Sequence, residues 1–230
     1  MPTIKAVISD FDGTLFDTRR AICTVIAETF RSFSEAVPAT ARIEATLVGG
    51  LTLEETLGIL KPVLATDKEF CTEWVTEYRR IYNAGLGIIS SAPFEKVGTM
   101  LAALKHMGVA VIVVSNKGAA AVHSTLKHFG FADWVQTVVA AENDFATKPN
   151  PRSFEDRIKP LFPALFPENY LVLGDTATDI YYARGIGAQS AWVTFGYGDS
   201  DVCQSLNPDY IVQSILSVID IVAEPCLKTV

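Results

Sequence analysis

The sequence predicts an α/β fold, a doubly wound and mostly parallel sheet with a helical insertion. Three observations lead there. Short β-branched apolar runs alternate with longer amphipathic stretches, the pattern of strand–helix–strand units. Most of these runs are apolar on both faces, as expected of strands buried between two helix layers. One interval, residues 18–88, offers helix after helix and no strand.

Taken in order, the first strand is expected at 5–9 and is followed at once by acidic residues. Helices then begin near Asp17. Thr52-x-x-Glu55 and Thr66-x-x-Glu69 both have capping-box spacing. Phe70, Trp74, Tyr78 and Ile81 recur at three to four residues and define one apolar helix face. Gly85, Gly87 and Pro93 punctuate the return. A helix over 94–107 is stopped by Gly108, and one over 119–129 by Gly130, since glycine readily takes the left-handed conformation that ends a helix. A further helix is expected at 178–185. Strands are expected at 109–115, 137–141, 170–173 and 191–195, with a sixth candidate at 210–212. Residues 1–17 and 89–230 therefore read as one α/β unit, and 18–88 as a separate helical one.

Composition narrows the class. Hydrophobic residues make up 49% and charged residues 20% of the 230, which excludes a disordered chain. Lys and Arg number 19 against 26 Asp and Glu, a net charge of −7, so a basic nucleic-acid footprint is not expected. The longest apolar runs, such as 109–114, are strand-sized, far short of the roughly 18 residues of a membrane helix. No signal-peptide stretch precedes Asp10, and a cytoplasmic protein without a membrane partner is expected. Cys23, Cys71, Cys203 and Cys226 are widely spaced, which fits free thiols in a reducing compartment. His106, His123 and His128 read as solvated helix positions, and Trp134 and Trp192 as core.

Four short segments carry the chemistry, and each follows a predicted strand, where open α/β sheets place their ligands. In Asp10-Phe11-Asp12-Gly13-Thr14 the two carboxylates are two residues apart and point to one side of extended chain. An ordinary Asp-Gly turn fits that segment too. Ser115-Asn116-Lys117-Gly118 supplies a hydroxyl and a strand-to-helix turn suited to an anion, or simply a helix cap. Lys148-Pro149-Asn150-Pro151 offers an ammonium able to offset phosphate charge, or a solvated loop lysine. Gly174-Asp175-Thr176-Ala177-Thr178-Asp179 brings two more carboxylates, hard oxygen ligands that suit Mg²⁺, or a capping acid.

In order and placement these segments resemble the motifs of the haloacid dehalogenase-like hydrolases, in particular the helical-cap subgroup that includes phosphoglycolate phosphatases. Ala183-Arg184, Gly187 and Phe195-Gly196-Tyr197-Gly198 agree with that likeness. The resemblance implies a Rossmann-like core with a helical cap over 18–88. It implies a Mg²⁺-dependent phosphatase acting on a small phosphorylated metabolite. Asp10 corresponds to the nucleophile that forms an aspartyl phosphate, and Asp12 to the general acid/base. Ser115, Asn116 and Lys148 correspond to the phosphate-binding set. Asp10, the Asp12 backbone carbonyl, Asp175 and Asp179 correspond to the metal site. The turn 48–52 with Gly49 and Gly50 matches the place where a cap loop reaches the site, though a plain helix connection fits equally. Arg20, with Arg19 and Arg42, is a candidate for a second anionic group of the substrate, or solvated charge. Lys96 stands where relatives often have Gly, and the three prolines in 160–167 are unusual. A phosphomutase, a pyrophosphate or nucleotide monophosphate hydrolase, a phospho-Asp receiver and a ligand-binding relative are the competing readings. Monomer and homodimer both stay open.

Overall fold

The structure is a computed structural model that describes residues 4–141 and 146–223. Its six-stranded sheet is built from β1 (Ala6–Ser9), β4 (Ala110–Gly118), β5 (Thr137–Ala141), β6 (Tyr170–Gly174), β7 (Gln189–Val193) and β8 (Tyr210–Val212). The order is β5-β4-β1-β6-β7-β8 and every pairing is parallel. The chain runs outward from β1 to β5, then returns to lay β6 on the other side of β1. The crevice at the β1 carboxyl end is thus a topological switch point.

Residue parity explains why these segments are strands. Val7, Val111, Val113, Leu171 and Leu173 enter the core on one face. Ala6, Ile8, Ile112, Val114, Tyr170 and Val172 enter the core on the other. The first face is covered by α7 (Val97–His106), α8 (Ala119–His128) and α11 (Ser217–Ala223), the second by α9 (Ala177–Ile186) and the turn Phe154–Ile158. Here α10 is Ser200–Ser205.

Between β1 and β4 the chain leaves through the short strand β2 (Phe16–Asp17) and returns through β3 (Ala92–Pro93), which pair antiparallel. Between them lie α1 (Arg19–Ser32), α2 (Thr40–Glu44), α3 (Leu53–Leu60), α4 (Val63–Thr66), α5 (Lys68–Ile81) and α6 (Gly87–Ile89). These helices have their own core around Trp74, which is stacked on Phe33 at 4.4 Å and meets Phe30 edge-on at 4.8 Å. Among the described residues no helix is long and apolar enough to cross a membrane.

Several boundaries differ from expectation for identifiable reasons. Thr52 and Glu55 form the capping box of α3, but Thr66 bonds back to the Val63 carbonyl and Asp67 caps α5 through the Phe70 N–H. The buried face of α5 is centred on Cys71, Trp74, Val75 and Tyr78, with Phe70 and Ile81 at its margins. Helix α9 runs through Gly185 and stops at Gly187, whose φ is +74°. Strand β7 begins two residues early, and Phe195 lies in the loop that follows it. Trp192 is buried, whereas Trp134 is only partly so. The three histidines are exposed. Cys23, Cys71 and Cys203 are free thiols, and Cys226 lies outside the described residues.

The helix expected from residue 94 starts only at Val97, because Lys96 sits at φ +65° and turns the chain. A side chain at such a φ costs about 1–2 kcal/mol, of which glycine's looser unfolded chain takes back roughly 0.4–1 kcal/mol. Lys96→Gly is expected to stabilise the protein by up to about 1 kcal/mol, a rise of roughly 2–4 °C in Tm. Lys96→Ala keeps the β-carbon and is expected to gain nothing. Thermal unfolding of the two variants checks this, and an equal effect of both would contradict it.

Candidate active site

The carboxyl ends of β1, β4 and β6 deliver most of the candidate residues to one place. Asp10 leaves β1 with its N–H on the Leu173 carbonyl, 2.8 Å away, which fixes it beside the end of β6. From the loop before Phe154, Lys148 reaches in and donates to Asp10 Oδ1 at 2.7 Å and to Asp179 Oδ1 at 2.6 Å. Asp175 accepts the Tyr197 N–H at 2.7 Å and the Thr14 hydroxyl at 3.2 Å. Glycine is required around it. Gly13 has φ +83°, and a β-carbon there would lie 2.2 Å from Asp175 Oδ2. One on Gly198 would lie 2.0 Å from the Asp175 carbonyl oxygen.

Asp10, Asp175 and Asp179 form the one cluster of potential metal ligands among the described residues, each buried and all offering an oxygen within 4.8 Å of the others. A single ammonium, Lys148, faces these three carboxylates. Burial pushes the Asp10 carboxyl up to about 7 against the pull of Lys148, and the Asp179 and Asp12 charges add to the rise. Burial also holds Asp175 well above the usual carboxylate range, helped by Asp10 and Asp179. Burial works against the Lys148 ammonium, but Asp10 and Asp179 outweigh it and its pKa lies above the ordinary lysine value. A divalent cation with a preference for oxygen ligands fits the unbalanced charge and the donor set, as Mg²⁺ would. Asp179 itself is already engaged: its second oxygen accepts the Thr176 N–H and hydroxyl in the capping box of α9.

Asp12 is turned away from that cluster. Its carboxylate accepts from the Thr18 hydroxyl at 2.6 Å and from Lys117 Nζ at 3.1 and 3.3 Å. The Thr18 N–H donates to the Tyr197 hydroxyl at 2.6 Å. Lys117 sits 4.2 Å from the centre of the Tyr82 ring. Burial disfavours its charge, but Asp12 together with Tyr82 and Tyr78 outweighs it and the pKa is raised.

Asp10, Asp12, Ser115, Asn116, Lys148, Asp179 and Gly50 all line one cavity of about 410 Å³ between the sheet end and the inserted helices. Ser115 is buried, and its hydroxyl accepts the Lys117 N–H at 3.3 Å. Asn116 also lines the cavity, with its side chain tied to the protein. Its side-chain amide donates to the carbonyls of Lys148 and Gly50 and accepts the Lys148 N–H at 2.9 Å. The side chain therefore ties the lysine loop to the turn at Gly50. Gly49 does not line the cavity, although its carbonyl accepts the Thr178 hydroxyl at 2.9 Å. Arg20 is exposed on α1 and outside the cavity lining, whereas Arg79 on α5 is part of it. Lys117 and Tyr197 stand in segments the sequence marked, Ser115-Asn116-Lys117-Gly118 and Phe195-Gly196-Tyr197-Gly198, but their contacts, and those of Thr18 and Arg79, arise from packing across distant segments.

Comparison with known proteins agrees with this geometry. The profile of the haloacid dehalogenase-like hydrolases matches residues 7–193. A phosphoglycolate phosphatase of Neisseria meningitidis is 27% identical over 222 residues, covering 92% of this chain and 91% of that protein. The pyrophosphatase PpaX of Halalkalibacterium halodurans is 26% identical over 219 residues, with 95% and 97% covered. A haloacid dehalogenase-like family hydrolase of Streptococcus pneumoniae superposes with a TM-score of 0.79 at 24% identity. That match covers 96% of this chain and 99% of the other.

Proposed function

This chain belongs to the haloacid dehalogenase-like hydrolase family, and from that premise we propose that it hydrolyses phosphomonoesters of small, phosphoglycolate-like metabolites. The observation that carries the reading is the buried Asp10, which lines the cavity, pairs with Lys148 at 2.7 Å and is grouped with Asp175 and Asp179. Asp10, the Asp12 backbone carbonyl and Asp175 would hold Mg²⁺, with Asp179 in support. When bound, that ion neutralises charge on Asp10 and on the phosphoryl group.

The rest of the chemistry falls to the chain. Lys148 and Ser115 hold the phosphoryl oxygens. An Asp10 carboxylate oxygen attacks phosphorus while the ester oxygen departs with a proton from Asp12, leaving an aspartyl phosphate. Asp12 then takes a proton from the water that attacks phosphorus, and phosphate leaves with Asp10 restored. Splitting the hydrolysis in two avoids one harder displacement. Residues 18–88 act as a cap that closes over the cavity during the first step and excludes water.

The test is phosphate release from a panel of phosphoglycolate, sugar phosphates, nucleotide monophosphates, pyrophosphate and an aryl phosphate. Release is expected with Mg²⁺ and not with EDTA. Asp12→Ala is expected to lower kcat by about 10²–10⁴ with little change in KM. An unaltered kcat would remove Asp12 from its role. Isomerised sugar phosphate without free phosphate would make the protein a mutase.

A further inference from the structure

We propose that Arg79 and Lys117 form a second anion subsite, so that preferred substrates carry a further negative group beside the phosphoryl: a carboxylate or a second phosphoryl. The inference rests on the reading that the substrate's phosphoryl group lies at Asp10.

Lys117, Lys148 and Arg79 supply the cations of the cavity wall among the described residues. Lys148 is held by two carboxylates at hydrogen-bond distance. Lys117 has one, Asp12. Arg79 has only Glu54 at 3.8 Å, a pair whose two side chains are 36% and 52% exposed and therefore weakly coupled. The Arg79 Nε is buried and has no acceptor among the described residues. An unpaired buried donor on a charged group is costly, and a guanidinium is shaped for the bidentate grip of a carboxylate or phosphoryl group. The described residues supply no such partner at Nε; an anionic ligand in the cavity would. Of the other arginines named for this role, Arg20 lies outside the cavity lining and two are engaged elsewhere. Arg42 donates to the Ile59 carbonyl at 3.0 Å, and Arg19 stacks on Tyr197 at 4.9 Å.

Placement agrees with the charge. Asp12 and Lys117 each follow by two residues a group of the phosphoryl site, Asp10 and Ser115, so the subsite lies just beyond it. Ile22, Leu47, Tyr78 and Tyr82 line the same cavity, and an apolar wall strengthens an ionic contact.

The experiment compares phosphoglycolate, pyrophosphate and phenyl phosphate in the wild type, Arg79→Gln and Arg79→Lys, all with Mg²⁺. The ratio of kcat/KM for phosphoglycolate over phenyl phosphate is expected to fall tenfold or more in Arg79→Gln and to recover in part in Arg79→Lys. The pyrophosphate ratio tells whether a phosphoryl serves as well as a carboxylate. Calorimetric binding of phosphonoacetate and methylphosphonate gives a readout free of turnover. Phosphonoacetate is expected to bind at least tenfold tighter, and to lose that advantage in Arg79→Gln. Hydrolysis with both ratios and binding unmoved by Arg79→Gln overturns the subsite and leaves the hydrolase reading intact. No hydrolysis but Arg79-dependent phosphonoacetate binding supports the subsite and overturns the hydrolase reading.

Discussion

Asp10→Asn is expected to lower phosphate release by about 10⁴-fold or more, the scale of losing a covalent nucleophile, and to make the metal-free protein more stable. The first effect follows from the amide, which has no negative oxygen to attack phosphorus. The second follows from charge. Asp10, Asp175 and Asp179 crowd within 4.8 Å with one ammonium among them. The Asp10 pKa lies near 7 in the folded protein and at 3.8 without the fold, so between these values the native state holds a proton that the unfolded state has lost. Whatever Asp10 adds to stability is complete below pH 3.8 and is gone once pH has risen through about 7. Asparagine has no such term. The Tm advantage of the variant in EDTA should therefore be small at pH 4 and widen toward pH 8. A variant less stable than the wild type at pH 8 would contradict this reading of the cluster.

Lys148→Met should act in the opposite sense on the fold. The ammonium is 5% exposed and bridges two carboxylates that are 11% and 4% exposed. Removing one partner of a buried ion pair costs about 3–5 kcal/mol, because the other charges stay buried without it. For a chain of this size that is a fall in Tm on the order of 10 °C. Phosphate release should fall as well, since no side-chain cation remains between Asp10 and the incoming phosphoryl group. Adding Asp10→Asn to Lys148→Met should restore part of the lost Tm, because the two residues share one network and their effects do not add. Mg²⁺ should stabilise Lys148→Met by more than it stabilises the wild type. Strictly additive Tm changes in the double variant would show that the pair does not interact as described.

Much of this was legible before any coordinates. Strands such as β4 and β6 announce themselves because both faces are apolar, and Asp10, Ser115, Lys148 and Asp175 stand out because each follows such a run. Features that depend on a partner far along the chain were not legible. A nearby competitor can mislead as well: the capping-box spacing of Thr66 and Glu69 passes for a true cap until Asp67, one residue on, is seen to bond Phe70. That the Asn116 side chain holds the Lys148 backbone, 32 residues on, is visible only in the fold. Arg79 has no mark among the charges of α5, and only the fold brings it to the cavity in place of Arg20. Local pattern reads the sheet because burial there repeats along the strand. It fails where one side chain answers to a single distant group.

The turn at Gly49 and Gly50 meets the α/β unit through two carbonyls, one taken by Thr178 and the other by Asn116. Two neutral hydrogen bonds of about 1 kcal/mol each favour the latched arrangement by roughly thirtyfold. If residues 18–88 swing as the proposed cap, such a catch is strong enough to hold a visitor through chemistry yet releases unaided. Because it grips backbone atoms, it is indifferent to which molecule lies beneath. Gly50 has φ +63°, and a β-carbon there would come within 2.7 Å of Thr176 Oγ1. Under that proposal the catch would time every substrate alike, and selection among them would fall to the side chains on the cavity wall.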